Sequence, residues 1–171
     1  MLNIIRNIAT VFFIIIGSIT VVNIEKYFNQ NLIPVLIDTE REVEEIKSKL
    51  LYLKAPSKKV NELSIAIKNV SGMTGISSDL LIALIYTEST FNKSAVSSAG
   101  YKGLMQTPMA TMKWADVDIL MGAKILKEKL VIADNNLADA LMLYKGGRNP
   151  VARAQADNTM KLYKKLSTVE I

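Results

Sequence analysis

The spacing of apolar residues after Pro56 is the feature that most restricts the fold of this chain. Apolar side chains recur every three or four residues, as on one face of an α-helix, and no stretch of convincing length alternates as a half-buried strand does. The stripes run through Val60, Leu63, Ile67 and Val70, through Ile119, Ala123, Leu126 and Leu130, and through Leu137, Leu141 and Tyr144. The sequence therefore predicts an all-α domain over residues 57–171.

Small polar residues mark where these helices begin. Ser77 is a good N-cap for a helix that runs from Ser78 to about Thr90, because its hydroxyl can accept a hydrogen bond from the first turn. Asn149 followed by Pro150 predicts another helix start, since proline is favoured at the first helical position.

Residues 7–24 form an uncharged run, NIATVFFIIIGSITVVNI. A helix of that length reaches about 27 Å, close to the roughly 30 Å hydrocarbon core of a bilayer. We therefore expect residues 1–26 to be a transmembrane anchor that contacts the lipid membrane through residues 7–24, with the rest of the chain outside the cytoplasm. The alternatives are a buried strand, which the length disfavours, and a cleaved signal peptide, which the lack of an A-x-A-like site disfavours.

Residues 27–56 are predicted to be an amphipathic stalk that ends at Pro56. Val43, Ile46, Leu50 and Leu53 are spaced three, four and three residues apart, which is the rhythm of a coiled-coil seam. A homo- or hetero-oligomer formed through residues 35–55 would use this stripe. Two heptads do not establish a coiled coil, and packing of the stalk on its own domain is the alternative.

Composition excludes several kinds of chemistry. The chain has no cysteine and no histidine, so disulfides, zinc–thiolate sites and catalysis by histidine are ruled out. We expect no metal and no cofactor. Residues 57–171 contain 15 Lys/Arg and 10 Asp/Glu, which leaves a charge of +5. Such a domain favours anionic partners, but no aromatic-basic interleaving or recognised motif supports nucleic acid.

Glu88 occupies a position where the helical spacing predicts an apolar residue. It shares a helix face with Leu81, Leu84 and Ile85. Partial burial raises the pKa of a carboxyl group, and a raised pKa suits a general acid at neutral pH. The alternative is a glutamate at a helix end that reaches water.

Tyr144 lies near the C-terminal end of its own helix, where its phenol could donate a hydrogen bond to a buried carboxyl group; a core tyrosine is the alternative. No Asp or Glu lies between Glu88 and Asp116. Glycosidases usually use two carboxylates. The gap favours a single-acid mechanism, although Asp116, Asp118 or Asp139 could fold back to supply the second.

Four segments follow one another in the order of a known family: ESTF at 88–91, AVSSAGYKGLMQTPMAT at 95–111, DILMGAKIL at 118–126 and ALMLYKGG at 140–147. Over residues 61–166 the chain resembles the soluble lytic transglycosylase (SLT) catalytic domain. The pairing of ES with GLMQ at this spacing is specific, whereas either motif alone is weak.

The resemblance implies a lysozyme-like helical fold that cleaves the MurNAc–GlcNAc β-1,4 bond of peptidoglycan and leaves 1,6-anhydroMurNAc ends. It implies that Glu88 is the catalytic acid and base, and that Tyr144 orients it. Ser89 and Gln106 would contact the sugar, and Met105 would line the cleft. Small anchored members open the wall locally for secretion, conjugation or phage entry, which places this chain in the cell envelope or in a virion membrane.

The sequence departs from the family pattern at three positions: Asp118 replaces the usual Asn at an expected N-cap, Lys145 replaces the Asn of Y-N-x-G, and Tyr101 stands where Ala is usual. Trp114 has two interpretations, stacking on a sugar and an ordinary core role. Two other functions stay open: a goose-type lysozyme, which is a hydrolase on the same fold, and a non-catalytic peptidoglycan-binding scaffold.

Overall fold

The computed structural model describes residues 26–168. A π-helical turn, Phe28–Leu32, precedes helix α1 (Ile33–Tyr52), and a 3₁₀ turn, Ser57–Lys59, leads into α2 (Val60–Thr74). The remaining helices are α3 (Ser78–Ser89), α4 (Ala115–Ile132), α5 (Leu137–Tyr144) and α6 (Pro150–Thr168). Over these residues the fold is helical, with only isolated β-bridges in the loop between α3 and α4, which confirms the all-α prediction.

The predicted anchor at residues 7–24 lies outside the described residues. Among those that are described, no helix is both long and apolar enough to cross a bilayer. The compact unit that contains the helical core begins at Glu42. The division of the chain at residues 26 and 56 stays a prediction.

The helix starts follow the capping rules. The Ser77 hydroxyl accepts from the backbone N–H of Leu80 at 3.2 Å, and Pro150 is the first residue of α6. The Asn149 side chain accepts from the N–H of Ala152 at 2.9 Å. Each bond satisfies a donor that the first helical turn leaves unpaired. Both sequence-predicted N-caps are thereby confirmed.

Helix α3 runs through the centre of the core. All six residues from 80 to 85 are buried, so this stretch is apolar on every side, as expected of a helix surrounded by others. Helices α2 and α6 pack against it, and α4 and α5 complete the layer around it. This packing fixes the direction in which the last turn of α3 points, and that turn contains Glu88.

The C-terminal half of α1 packs on the domain's own core. Ile46 and Leu50 are buried, and Leu53 packs against the core cluster. Lys49 on the same face is also buried, and its ammonium group contacts Asp79 Oδ1 in the first turn of α3 at 2.7 Å and Glu45 Oε1 at 2.6 Å. The C-terminal half of the predicted stalk therefore packs on its own domain, which was the alternative to a coiled coil. An oligomer through residues 35–55 stays a prediction.

Candidate active site

Glu88 lies in the wall of a groove of about 540 Å³, here called the Glu88 groove. Its side chain is only 15% exposed, because α3 holds it one turn beyond the buried core. Helices α3 to α6 and the loop before α4 all contribute to the walls, with Thr87, Tyr101, Gln106, Thr107, Glu128, Lys129, Tyr144, Lys145 and Gln155 among the lining residues. The carboxyl group is therefore held in a partly desolvated site that remains accessible from the groove.

Lys145 is the residue that contacts the Glu88 carboxylate. Its Nζ lies 2.8 Å from Glu88 Oε1 and donates a second hydrogen bond to Thr87 Oγ1 at 3.0 Å. Burial raises the pKa of Glu88, while the charge and the hydrogen bond of Lys145 oppose that rise without cancelling it. Burial also lowers the pKa of Lys145, which the charge of Glu88 only partly offsets.

Tyr144 makes a different contact from the one expected. Its hydroxyl donates to the backbone carbonyl of Met105 at 2.7 Å, instead of to Glu88. Burial, followed by the nearby charge of Glu88, raises the pKa of this phenol well above its usual range, so it keeps its proton. Tyr144 thus ties α5 to the loop before α4, and the contact with Glu88 is made by the next residue, Lys145.

Gln106 lines the groove and also holds the loop together, while its contact with a sugar stays a prediction. Its amide nitrogen donates to the carbonyls of Gly103 at 2.9 Å and Ala95 at 3.2 Å. Both amide hydrogens are therefore used within the loop, and the amide oxygen is the acceptor that remains for a sugar.

Ser89 and Met105 are placed differently from the expectation. The Ser89 hydroxyl donates to the Ile85 carbonyl of its own helix at 3.1 Å, and Ser89 is absent from the described lining of the groove. Met105 is fully buried below the groove against Gly122. A Cβ at Gly122 would lie 2.6 Å from that of Met105, so glycine is needed for this packing. Sugar contacts by Ser89 and Met105 stay predictions.

Asp118 is not an N-cap, because α4 begins at Ala115 with Trp114 as its cap residue. The Asp118 carboxylate is buried and accepts hydrogen bonds from the N–H of Thr111 at 2.6 Å, the hydroxyl of Thr111 at 3.0 Å and the N–H of Met112 at 2.9 Å. It fastens the loop to α4. Trp114 is 56% exposed, so the core role expected for it is wrong.

Sequence reasoning missed several groove residues. Of the acids considered as a second carboxylate, Asp118 is used by the loop, and Asp116 and Asp139 are absent from the described lining. Glu128, one of the α4 residues in the wall, was not considered. Thr107 is another lining residue, and its buried hydroxyl has no hydrogen-bond partner among the described residues. Within 26–168, no cluster of three or more acidic residues could hold a metal ion.

Comparison with known proteins shows which family this chain belongs to. Residues 65–167 match the family model described as the Transglycosylase SLT domain. This range contains the whole Glu88 groove and most of the described helical core. No solved structure matches the chain.

Proposed function

Because the chain belongs to the transglycosylase SLT domain family, we propose that it cleaves the MurNAc–GlcNAc β-1,4 bonds of peptidoglycan and leaves 1,6-anhydroMurNAc ends. Peptidoglycan is the substrate that the family implies. The single observation that carries the proposal is the half-desolvated Glu88 in the wall of a groove, with its pKa raised by burial. A carboxyl group in this state can hold a proton closer to neutral pH than a solvated one.

The reaction needs one acid that acts twice. Protonated Glu88 gives its proton to the bridging oxygen as the bond from that oxygen to the MurNAc anomeric carbon breaks. The 6-hydroxyl of the same MurNAc then attacks the anomeric carbon, and the Glu88 carboxylate takes the hydroxyl proton. Glu88 ends in its starting form and no water is consumed. The nucleophile belongs to the substrate, so proximity supplies much of the acceleration.

Hydrolysis, as in a goose-type lysozyme, is the alternative that one lining residue favours. Glu128 gives the groove a second carboxylate, and a second carboxylate can activate water. A non-catalytic scaffold is the other alternative, and the contact between Lys145 and Glu88 is the observation that favours it, because a neighbouring cation disfavours protonation.

Product analysis separates these functions. Purified sacculi are digested with the full chain, with Glu88→Gln and with Glu128→Gln, and the released fragments are weighed by mass spectrometry. We expect fragments lighter by one water than lysozyme products, from the wild type and from Glu128→Gln. Reducing MurNAc ends that disappear in Glu128→Gln would establish the hydrolase instead, and no release by any variant would establish the scaffold.

We also propose that residues 7–24 anchor the catalytic domain in a membrane, outside the cytoplasm, in a cell envelope or a virion. The length and lack of charge of this run support the proposal. The full chain should fractionate with membranes and resist carbonate extraction, whereas the chain without residues 1–26 should be recovered in solution with its helical circular-dichroism spectrum retained. Full-length protein in the soluble fraction would contradict the anchor.

A further inference from the structure

Lys145 lies where the family pattern has an asparagine, and its side chain is buried among hydrogen-bonding partners. The side chain is only 4% exposed, and its Nζ contacts Glu88 Oε1 and Thr87 Oγ1. The Thr87 hydroxyl lies 2.9 Å from that of Thr159 on α6, which also donates to the Gln155 carbonyl at 3.1 Å. Two side chains of α3 therefore contact the ammonium group, and Thr159 of α6 contacts one of them.

We propose that Lys145 is a positioning residue for Glu88: it holds Oε1 and leaves Oε2 to exchange the proton with the substrate. The proposal rests on the proposed function, since positioning matters only if Glu88 reacts. It assigns a role to a residue at which this chain departs from the family pattern.

The geometry explains why an asparagine cannot fill this role. An asparagine side chain is shorter and carries no charge, so it can offer the carboxylate a neutral hydrogen bond at most. Lys145 adds a full charge 2.8 Å from Oε1, in a site where water screens little. It thereby stabilises the carboxylate, which is the form of Glu88 that acts as the base in the second step.

Thr87 and Thr159 supply the support for Lys145. A lysine has a flexible stem, so a lone contact to Glu88 would leave its ammonium group poorly placed. The second hydrogen bond, to Thr87, fixes the ammonium group, and Thr159 connects Thr87 to α6. A change at Thr159 should therefore alter the titration of Glu88, although the two side chains are connected only through Thr87 and Lys145.

Other titratable groups face the same groove and belong in the interpretation of any pH effect. Tyr144 is buried beside Lys145, Tyr101 comes from the loop before α4, and Glu128 and Lys129 come from α4. The α6 residues that take part are Gln155 and Thr159, which carry no charge. Lys145 is the cation that forms an ion pair with Glu88 in the described residues, so its removal should have the dominant effect.

The test titrates Glu88 directly. Carbon-13 NMR of the carboxyl group follows Glu88 in the full chain in detergent, with the signal assigned by its absence in Glu88→Gln. In Lys145→Met, which keeps the length of the side chain but removes its charge, Glu88 should titrate about one pH unit or more higher than in the wild type. Lys145→Asn should shift it upward as well, and Lys145→Arg should restore most of the wild-type value.

Lys124→Met is the matched control, since it removes one positive charge from an exposed position on α4. It should leave the titration unchanged. Thr159→Val, which removes the supporting hydroxyl at nearly constant shape, should shift Glu88 in the same direction as Lys145→Met but by less. An unchanged titration in both Lys145→Met and Lys145→Asn would overturn the proposal, and an unchanged titration in Thr159→Val alone would remove Thr159 from it.

Activity against sacculi gives an independent readout. The alkaline limb of the kcat/KM profile should move to higher pH in Lys145→Met, while the maximal rate falls because Oε1 is no longer held. If Glu88 titrates as expected but the wild type releases no fragments, the proposed function fails, and only the electrostatic effect of Lys145 on Glu88 stands. If the Lys145 and Thr159 variants release fragments with the pH profile and maximal rate of the wild type, the positioning role fails and the function stands.

Discussion

Helix α3 contacts a buried lysine at each of its ends, and the two lysines are used differently. In the first turn, Asp79 binds Lys49 of α1, whose side chain is 5% exposed. In the last turn, Glu88 binds Lys145, whose side chain is 4% exposed. The two side chains are exposed to a similar extent, but Lys49 has two carboxylate partners where Lys145 has one, and the strength of desolvation also differs between the two sites.

The pKa values of the two lysines shift in opposite directions. Burial is the largest single influence on Lys49 and lowers its pKa, but hydrogen bonds and charges from Asp79 and Glu45 together outweigh it and raise the pKa. Burial is also the largest influence on Lys145. The charge and the hydrogen bond of its one carboxylate partner, Glu88, do not compensate for it, so the pKa of Lys145 falls. Two carboxylates thus make a stable structural tie. One carboxylate and a neutral threonine do not outweigh the burial of Lys145.

The largest expected effect is that of Glu88→Gln on activity. Glutamine keeps the size of the side chain but cannot donate the proton, so release of fragments from sacculi should fall by about 10²- to 10⁴-fold. The fold should survive with lower stability, because the amide oxygen can still accept a hydrogen bond from Lys145 but no longer pairs the charge of its ammonium group. The measurement is the initial rate of fragment release, with circular dichroism to establish folding.

Asp79→Asn is the matched control for this prediction, because it makes the same acid-to-amide change at the other end of α3. It should weaken the contact with Lys49 and lower stability while the folded molecules keep their activity. Equal losses of activity in the two variants would mean that both ends of α3 act through the fold, which would remove the distinction between them.

The next effect in size is the loss of stability in Lys49→Met. Methionine keeps the apolar stem in place but leaves Asp79, which is 15% exposed, without its ammonium partner. We expect the free energy of unfolding to fall by about 2 kcal/mol, less than for a fully buried pair because Glu45 is largely solvated. Urea unfolding of the full chain in detergent measures this change.

Lys47→Met serves as the comparison on the same helix. Its ion pair with Glu44 also has a short contact, 2.6 Å, but Glu44 is 68% exposed. Its loss should therefore change the free energy of unfolding by less than about 0.5 kcal/mol. A loss in Lys49→Met no larger than that in Lys47→Met would show that burial adds nothing to the α1–α3 contact.

Each end of α3 has one feature that the sequence predicts and one contact that it does not. Ser77 as the N-cap and Glu88 on an apolar face follow from local rules, because capping and helical spacing depend on residues within one or two turns. The contacts of Lys49 with Asp79 and of Lys145 with Glu88 span 30 and 57 positions of the chain, and no local rule links such residues.

The incorrect contact predicted for Tyr144 has a related cause. Its position on the helix face was inferred correctly as inward, but which acceptor its hydroxyl would meet depends on how the loop before α4 folds back. That loop is held by Gln106 and Asp118, whose bonds to backbone groups leave little trace in the sequence. The departure from asparagine at Lys145 was visible, and its spacing from Glu88 gave no sign that the two would meet.

The smallest expected effect is on how stability depends on pH, and it again distinguishes the two ends of α3. The pKa of Glu88 is raised in the folded state above its ordinary value of 4.5, so the folded protein binds this proton more tightly than the unfolded chain does. Stability therefore falls as pH rises from about 4.5 through the folded pKa, and levels off above it. Glu88→Gln lacks this titration, so its free energy of unfolding should rise relative to that of the wild type across the same window.

Lys49 behaves differently: its folded pKa is raised above 10.5, so its contribution to stability is complete below that pH and is lost only as pH rises through the folded value. Urea unfolding at intervals from pH 4 to 8 should thus show curves for wild type and Glu88→Gln that diverge, whereas the titration of Lys49 contributes nothing to pH dependence in that range. Parallel curves for wild type and Glu88→Gln would mean that Lys145 compensates the burial of Glu88 completely, and the two ends of α3 would then be electrostatically alike.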